Sequence, residues 1–304
     1  MAKYSINNFD KLKGLKADRL FICGMGGSGL PGEILSAFRD EFGIRIPITT
    51  WKDYGLPPHW TKNTLFVFIS FSGETAETIS GLEAALKIKG AKIAVLTGGG
   101  KLEKISAAHR VPLVTFDQGG MMPRFALNPM FEGLVKIVNL AEVTAKRLPV
   151  PAPKKAQNTA NIIKFIDGKV PLLYTSQQLK SLAYIWKIWL NETAKTPAFI
   201  DQLPVLDHNE IVGFESRTTP FRVIFIQDPS ESELIKKRIA LTGKLINKLG
   251  GQTLTIKLNG KTKFERFWRG VYLGEATATK LAIMKKRDPR EIRSIDTLKA
   301  WMKK

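Results

Sequence analysis

The chain has 304 residues, enough at roughly 150 per domain for two independently cored domains, which excludes a small stapled module. Hydrophobic residues make up 44% and charged residues 24%, values that exclude wholesale disorder and a coiled coil. Lys plus Arg number 47 against 27 Asp plus Glu, a formal net charge of +20 that favours anionic partners; the cations are scattered in short clusters such as Lys236-Lys237-Arg238, with no long basic arm, so no nucleic acid partner is expected.

Along the first half, short apolar runs at Arg19–Cys23, Ile44–Thr49, Thr64–Ser70, Lys92–Thr97 and Val111–Phe116 read as strands. Amphipathic stretches at about Leu30–Phe42, Thr75–Lys89, Leu102–His109 and Phe125–Lys146 read as helices. Strands alternating with helices predict a doubly wound parallel sheet covered on both faces, a three-layer α/β/α arrangement. Pro149, Pro151 and Pro153 favour an extended connector, and a boundary there gives domains 1–150 and 151–304.

The pattern then restarts. Helices are expected at Asn158–Ile166, Gln178–Leu190, Glu231–Lys248, about Thr262–Lys285 and Ser294–Met302, and strands at Val170–Tyr174, Phe221–Gln227 and Thr253–Leu258. The second half thus reads as another α/β domain, a candidate diverged copy of the first. Cys23 is the one cysteine, so an intrachain disulfide is impossible and a reducing compartment is the natural setting. The N-terminal segment lacks the apolar core of a secretory signal, and no apolar run approaches the roughly 18 residues of a membrane span. A cytoplasmic protein with no membrane association is expected.

Two loops concentrate the chemistry. CGMGGSGLPGEI, Cys23 to Ile34, follows a strand and opens a helix, placing Gly27 and Ser28 beside free backbone amides at the positive end of a helix dipole. It fits G-x-G-x-x-G, but no persuasive acidic ribose ligand follows the next strand, which argues against a dinucleotide fold. SFSGETAET, Ser70 to Thr78, sets Ser70, Ser72 and Thr75 at the next strand-to-helix turn. Three clustered hydroxyls suit a phosphate monoester held without a metal; simple helix capping accounts for one of them. With three His far apart in sequence and no H-x-x-H or H-E-x-x-H spacing, no metal site and no cofactor are expected.

GMGGSG followed by S-x-S-G-x-T resembles the sugar-phosphate-binding pattern of sugar isomerase (SIS) domains, and the two α/β halves fit a double-SIS architecture. NETAKTPAFIDQLPVLDHNEIVGFE, Asn191 to Glu215, and DPREIRSIDTLK, Asp288 to Lys299, resemble the bifunctional phosphoglucose/phosphomannose isomerases of archaea and some bacteria. The resemblance implies metal-independent interconversion of glucose 6-phosphate, fructose 6-phosphate and mannose 6-phosphate by ring opening and an enediolate. It implies Glu192 as the base shuttling the proton between C1 and C2. It implies His208 as the ring-opening acid/base reaching a site from the partner of a homodimer, Lys299 as an aid at the ring oxygen, and Arg124, in MMPRFAL, as stabiliser of enediolate charge. Departures are Val205-Leu206-Asp207, where a Pro-Glu pair is expected before the His, and Glu74, where the family often has Asn.

Ordinary alternatives stand beside each role: Glu192 as a helix-end partner of Lys195, His208 as a structural residue whose ring Asp207 and Asn209 orient, and Lys299 and Arg124 as solvated surface cations. Competing functions are a non-catalytic sugar-phosphate sensor and an isomerase of another sugar phosphate such as glucosamine 6-phosphate.

Overall fold

A computed structural model describes residues 3–144, 147–151, 158–216 and 220–302, and the chain divides into two units, Met1–Pro151 and Ala152–Lys304. The first unit contains β1 (Tyr4–Asn7), β2 (Arg19–Cys23), α1 (Leu30–Ala37), β3 (Ile48–Trp51), β4 (Thr64–Ser70) and α2 (Ala76–Leu86). These are followed by β5 (Lys92–Thr97), α3 (Gly100–Ala108), β6 (Leu113–Phe116) and α4 (Leu127–Leu140). Its sheet runs β1-β6-β5-β4-β2-β3.

The central strand β4, TLFVFIS, is buried along its whole length. Such an uninterrupted run is what helices on both faces demand. Because the pleat alternates, Phe66 and Phe68 join Phe21, Ile79, Leu82, Val95 and Leu102 in one cluster against α2 and α3. The intervening Leu65, Val67 and Ile69 are buried on the opposite face, where α1 and α4 pack.

Four features depart from expectation. The strand after α1 begins at Ile48 rather than Ile44; Pro47 has no N–H for a ladder, and only its carbonyl pairs, accepting from Leu20 N–H at 2.9 Å. Helix α1 stops at Ala37, and Phe38 and Phe42 stack instead in the following turns. The sheet is not wholly parallel, because Tyr4–Asn7 pairs antiparallel with β6 as an edge strand. Four mostly exposed residues, YSIN, carry no alternation from which to read it. The long amphipathic stretch is helical only over Leu127–Leu140, after a 3-10 turn at Pro123–Ala126, and the chain leaves the helix at Ala141, short of the expected end; Lys146 itself, like Pro153 of the connector, lies outside the described residues.

The second unit contains α5 (Ala160–Ile166), β7 (Val170–Ser176), α6 (Lys180–Glu192), β8 (Phe199–Leu203), β9 (Phe221–Gln227), α7 (Glu233–Lys248), β10 (Thr253–Lys257), α8 (Lys263–Met284) and α9 (Arg293–Trp301). The parallel order is β10-β9-β7-β8. Strand β8, FIDQL, is absent from the sequence-based expectation: it is half-exposed and its apolar alternation is broken by Asp201 and Gln202. Gly270 and Gly274 let α8 approach α6. A Cβ on Gly274 would lie 2.5 Å from the Trp186 indole nitrogen, which donates to Gly270 O at 2.8 Å. No helix among the described residues is long and apolar enough to cross a membrane.

Candidate active site

In an open parallel sheet, ligands bind beyond the carboxyl ends of the strands where the winding direction reverses. In the first unit the chain goes from β2 outward to β3, and from β4 the other way to β5 and β6, so the reversal lies between β2 and β4. The loops that leave those two strands are the Gly/Ser loop and the SFSGET loop. They are tied together: Ser28, buried, accepts the Phe71 N–H at 3.0 Å. Gly24 and Gly29 permit this crowding. A Cβ on Gly24 would sit 2.8 Å from Ser28 O and 2.9 Å from Ile69 O, and one on Gly29 2.6 Å from Gly24 O.

Ser70, fully buried at the end of β4, accepts the Gly73 N–H at 3.0 Å and lies 2.9 Å from the Thr75 hydroxyl. Thr75 is the N-cap residue of α2, yet its side chain makes no cap hydrogen bond and meets Ser70 instead. Helix capping therefore does not explain this hydroxyl, and the first amides of α2 carry no side-chain cap. Ser72 is exposed and accepts the Glu74 N–H at 3.2 Å, so its own O–H proton is not used in that bond.

Arg124 is not a surface cation. It is 3% exposed, in the 3-10 turn Pro123–Ala126, with its guanidinium carbon 5.0 Å from the centre of the Phe125 ring. A Cβ on Gly27 would face Pro123 O at 3.5 Å and Arg124 Cα at 3.7 Å. The fold thus gathers Gly27, Ser28, Ser70, Ser72, Thr75 and Arg124 in one region of the first unit.

Other supports there escaped the sequence reading. Gln118 Nε2 donates to Phe71 O at 3.1 Å and Gly98 O at 2.8 Å, and Glu74 Oε1 accepts the Lys101 N–H at 2.8 Å. Together they brace SFSGET against the loop after β5. The available signal was TGGGK, a third glycine-rich strand-to-helix turn. Cys23 stands beside these loops, but burial pushes its thiol up to about 12, so it offers no thiolate nucleophile at neutral pH.

In the second unit Glu192 is the last residue of α6 and half-buried. The adjacent Asn191 side chain accepts the Ala198 N–H at 2.9 Å, turning the chain from the helix into β8. Lys195 meets the main chain of Glu192, its ammonium 2.8 Å from that carbonyl. His208 ends the 3-10 turn Val205–His208 and is exposed.

Asp207 does not orient the His208 ring: its carboxylate accepts Arg238 Nη1 and Thr242 Oγ1, both at 2.8 Å, anchoring the turn to α7. Asn209 is engaged by the Glu210 N–H. Nearby, burial and then the neighbouring Asp201 push the Glu210 carboxyl up, while the Tyr174 hydroxyl donates to it at 2.7 Å. The backbone of Lys299 belongs to α9; its side chain lies outside the described residues.

The second unit has its own reversal point, between β7 and β9. The loop after β9 there holds Asp228, whose oxygens take Arg266 Nε and Nη2, both at 2.8 Å. Burial by itself raises that carboxyl, but the Arg266 guanidinium and Ser230 outweigh it and hold it below the usual range. The guanidinium there is thus already paired with a carboxylate.

A family profile for the bacterial phospho-glucose isomerase C-terminal SIS domain matches residues 154–302. The bifunctional phosphoglucose/phosphomannose isomerase of Thermoplasma volcanium is 30% identical over 96% of this chain and 94% of its own length. The D-glucosamine-6-phosphate 4-epimerase of Sulfolobus acidocaldarius is 33% identical over 66% of this chain and 65% of its own. Among solved structures, a hypothetical protein of Thermus thermophilus superposes with a TM-score of 0.72 at 16% identity, covering 97% of this chain and 86% of that one, a likeness of fold.

Proposed function

The chain belongs to the bifunctional phosphoglucose/phosphomannose isomerase family and is a hexose-phosphate isomerase, and from that premise we propose how its residues do the work. It interconverts glucose 6-phosphate and mannose 6-phosphate with fructose 6-phosphate, in the cytoplasm and without a metal. The observation that carries the reading is the meeting of the Ser28 and Ser70–Thr75 loops at the β2/β4 reversal point, beside a helix start that no side chain caps. An incoming phosphate takes the amides of that helix start and the Ser72 hydroxyl.

Chemistry follows at the other end of the sugar. His208 exchanges protons at the ring oxygen and O1 as the ring opens, and Lys299 assists at the ring oxygen. Glu192 then removes the proton from one carbon and returns it to its neighbour, one carboxylate serving both sites. Charge on the enediolate oxygens faces Arg124, held by burial rather than reorganising as the charge develops. His208 acts from the partner of a homodimer, a reading consistent with its exposed position.

The primary test is a coupled assay in the presence of a chelator, with fructose 6-phosphate and mannose 6-phosphate supplied separately. Turnover of both is expected; silence on both from folded protein would remove the isomerase reading. The match to a D-glucosamine-6-phosphate 4-epimerase makes glucosamine 6-phosphate the control substrate for the second reading, a sugar phosphate bearing an amine.

Two further results are expected. Ser72→Ala weakens substrate binding by about 1–3 kcal/mol, the loss of a hydrogen bond to a charged group. An unchanged Michaelis constant would take the SFSGET loop out of the phosphate site. Mixing inactive Glu192→Gln protein with inactive His208→Ala protein restores activity once subunits exchange, because some hybrid sites regain both groups. Proven exchange without recovery would count against a His acting across the dimer.

A further inference from the structure

Among the described side chains of the second unit, Lys195 has an unusual combination of backbone and contacts. Its φ of +51° lies in the left-handed region, where glycine is the default residue because a Cβ is strained. A lysine there points to a side chain that glycine cannot replace. Its ammonium donates to Glu192 O at 2.8 Å, Asp288 O at 2.8 Å and Glu291 O at 2.7 Å, with Thr193 O at 3.4 Å. The ammonium thus gathers four carbonyls around one nitrogen, a cluster that a planar guanidinium reproduces poorly.

The acceptors come from two places. Glu192 and Thr193 supply carbonyls at the C-terminus of α6, at the negative end of its dipole. Asp288 and Glu291 belong to the turn between α8 and α9, whose shape is set by Asp288 Oδ1 accepting the Arg290 N–H at 2.8 Å. That turn leads directly into α9 and Lys299.

We propose that Lys195 is a positioning residue for the isomerisation. Its ammonium clamps the helix end bearing Glu192 to the 288–291 turn, and so sets the base relative to the segment carrying Lys299. The proposal rests on the roles given above to Glu192 and Lys299. It predicts a loss in the chemical step rather than in phosphate binding, since the phosphate loops belong to the first unit.

The test compares Lys195→Met, Lys195→Gln and Lys195→Arg with the wild type and with Glu192→Gln. In Lys195→Met, kcat for fructose 6-phosphate is expected to fall roughly 10- to 100-fold, the effect of misplacing a catalytic group by about 1 Å, with KM nearly unchanged. Removing the cation raises the pKa of the nearby base, so the acid limb of kcat/KM moves to higher pH in the Met and Gln variants. Lys195→Arg keeps the charge and is expected to retain the wild-type acid limb with part of the lost kcat.

Folded Lys195→Met with wild-type kcat and acid limb would overturn the proposal. So would a kcat loss that matches the loss of folded protein with the limb unmoved. Should the Met variant not fold, the Gln and Arg pair decides by the same criteria. Hydrogen exchange over residues 288–302 reads the clamp without turnover: exchange is expected to accelerate most in the Met and Gln variants and less in Arg. Unaltered exchange in all three would overturn the clamp even if the wild type proved inactive on hexose phosphates, an outcome that by itself would overturn only the isomerase reading.

Discussion

Replacing Glu192 by Gln is expected to lower turnover of fructose 6-phosphate by roughly 10²–10⁴-fold, the range for removing a general base, while KM and phosphate-ester affinity stay near wild type. The amide keeps the volume and hydrogen-bonding reach of the carboxyl but cannot accept the proton. The Gly/Ser loop and the SFSGET loop, proposed above to hold the phosphate end, belong to the first unit, whereas Glu192 belongs to the second. An isomerase and a sensor therefore separate on this variant: the first loses turnover and keeps binding, whereas the second never turns over. Retention of more than about a tenth of wild-type kcat would remove Glu192 from the proton shuttle.

Arg266→Met is expected to destabilise the second unit by about 3–5 kcal/mol, the range for breaking a buried ion pair from one side. The Arg266 and Asp228 side chains are 10% and 2% exposed, so solvent does little to screen the carboxylate left behind. The pH dependence gives the sign. In the wild type, Asp228 is held below its unfolded value near 3.9, so its contribution is present above that value and is lost as pH falls through the lower folded one. In the variant the same carboxyl, buried without its cation, takes up a proton more readily than in the unfolded chain. The gap between wild type and variant is thus widest near neutral pH and narrows on acidification.

Glu231, on the same loop, contributes with the opposite sign. Burial pushes its carboxyl up, and outweighs the Ser176 hydroxyl and the Asp228 backbone, which pull the other way. Its contribution is favourable below the unfolded value and diminishes as pH rises through the folded one. Denaturant titrations of both proteins from pH 4 to 8 check these signs, with Asp228→Asn/Arg266→Met as the paired control. A constant gap across that range would place the Arg266 effect in packing rather than charge.

Much of this protein is legible without coordinates because its cues are local. The all-apolar run at Thr64–Ser70 announces a strand buried on both faces, and the turns at Gly24–Gly29 and Ser70–Thr75 announce the loops that the β2/β4 reversal brings together. Each signal is contained within a few residues of pleat, helix period or turn chemistry. The edge strand Tyr4–Asn7 has no such signal, since its identity comes from pairing with Leu113–Phe116, more than a hundred residues away. Arg124 shows the same division: its place after a proline can be read in MMPRFAL, but its burial depends on packing that no local pattern encodes. The Lys195 clamp spans 96 residues to Glu291, and the Asp228–Arg266 pair spans 38. A lysine among four carbonyls and a lysine in water are identical in a sequence, because burial and hydrogen-bond partners are properties of segments that meet after the chain has folded.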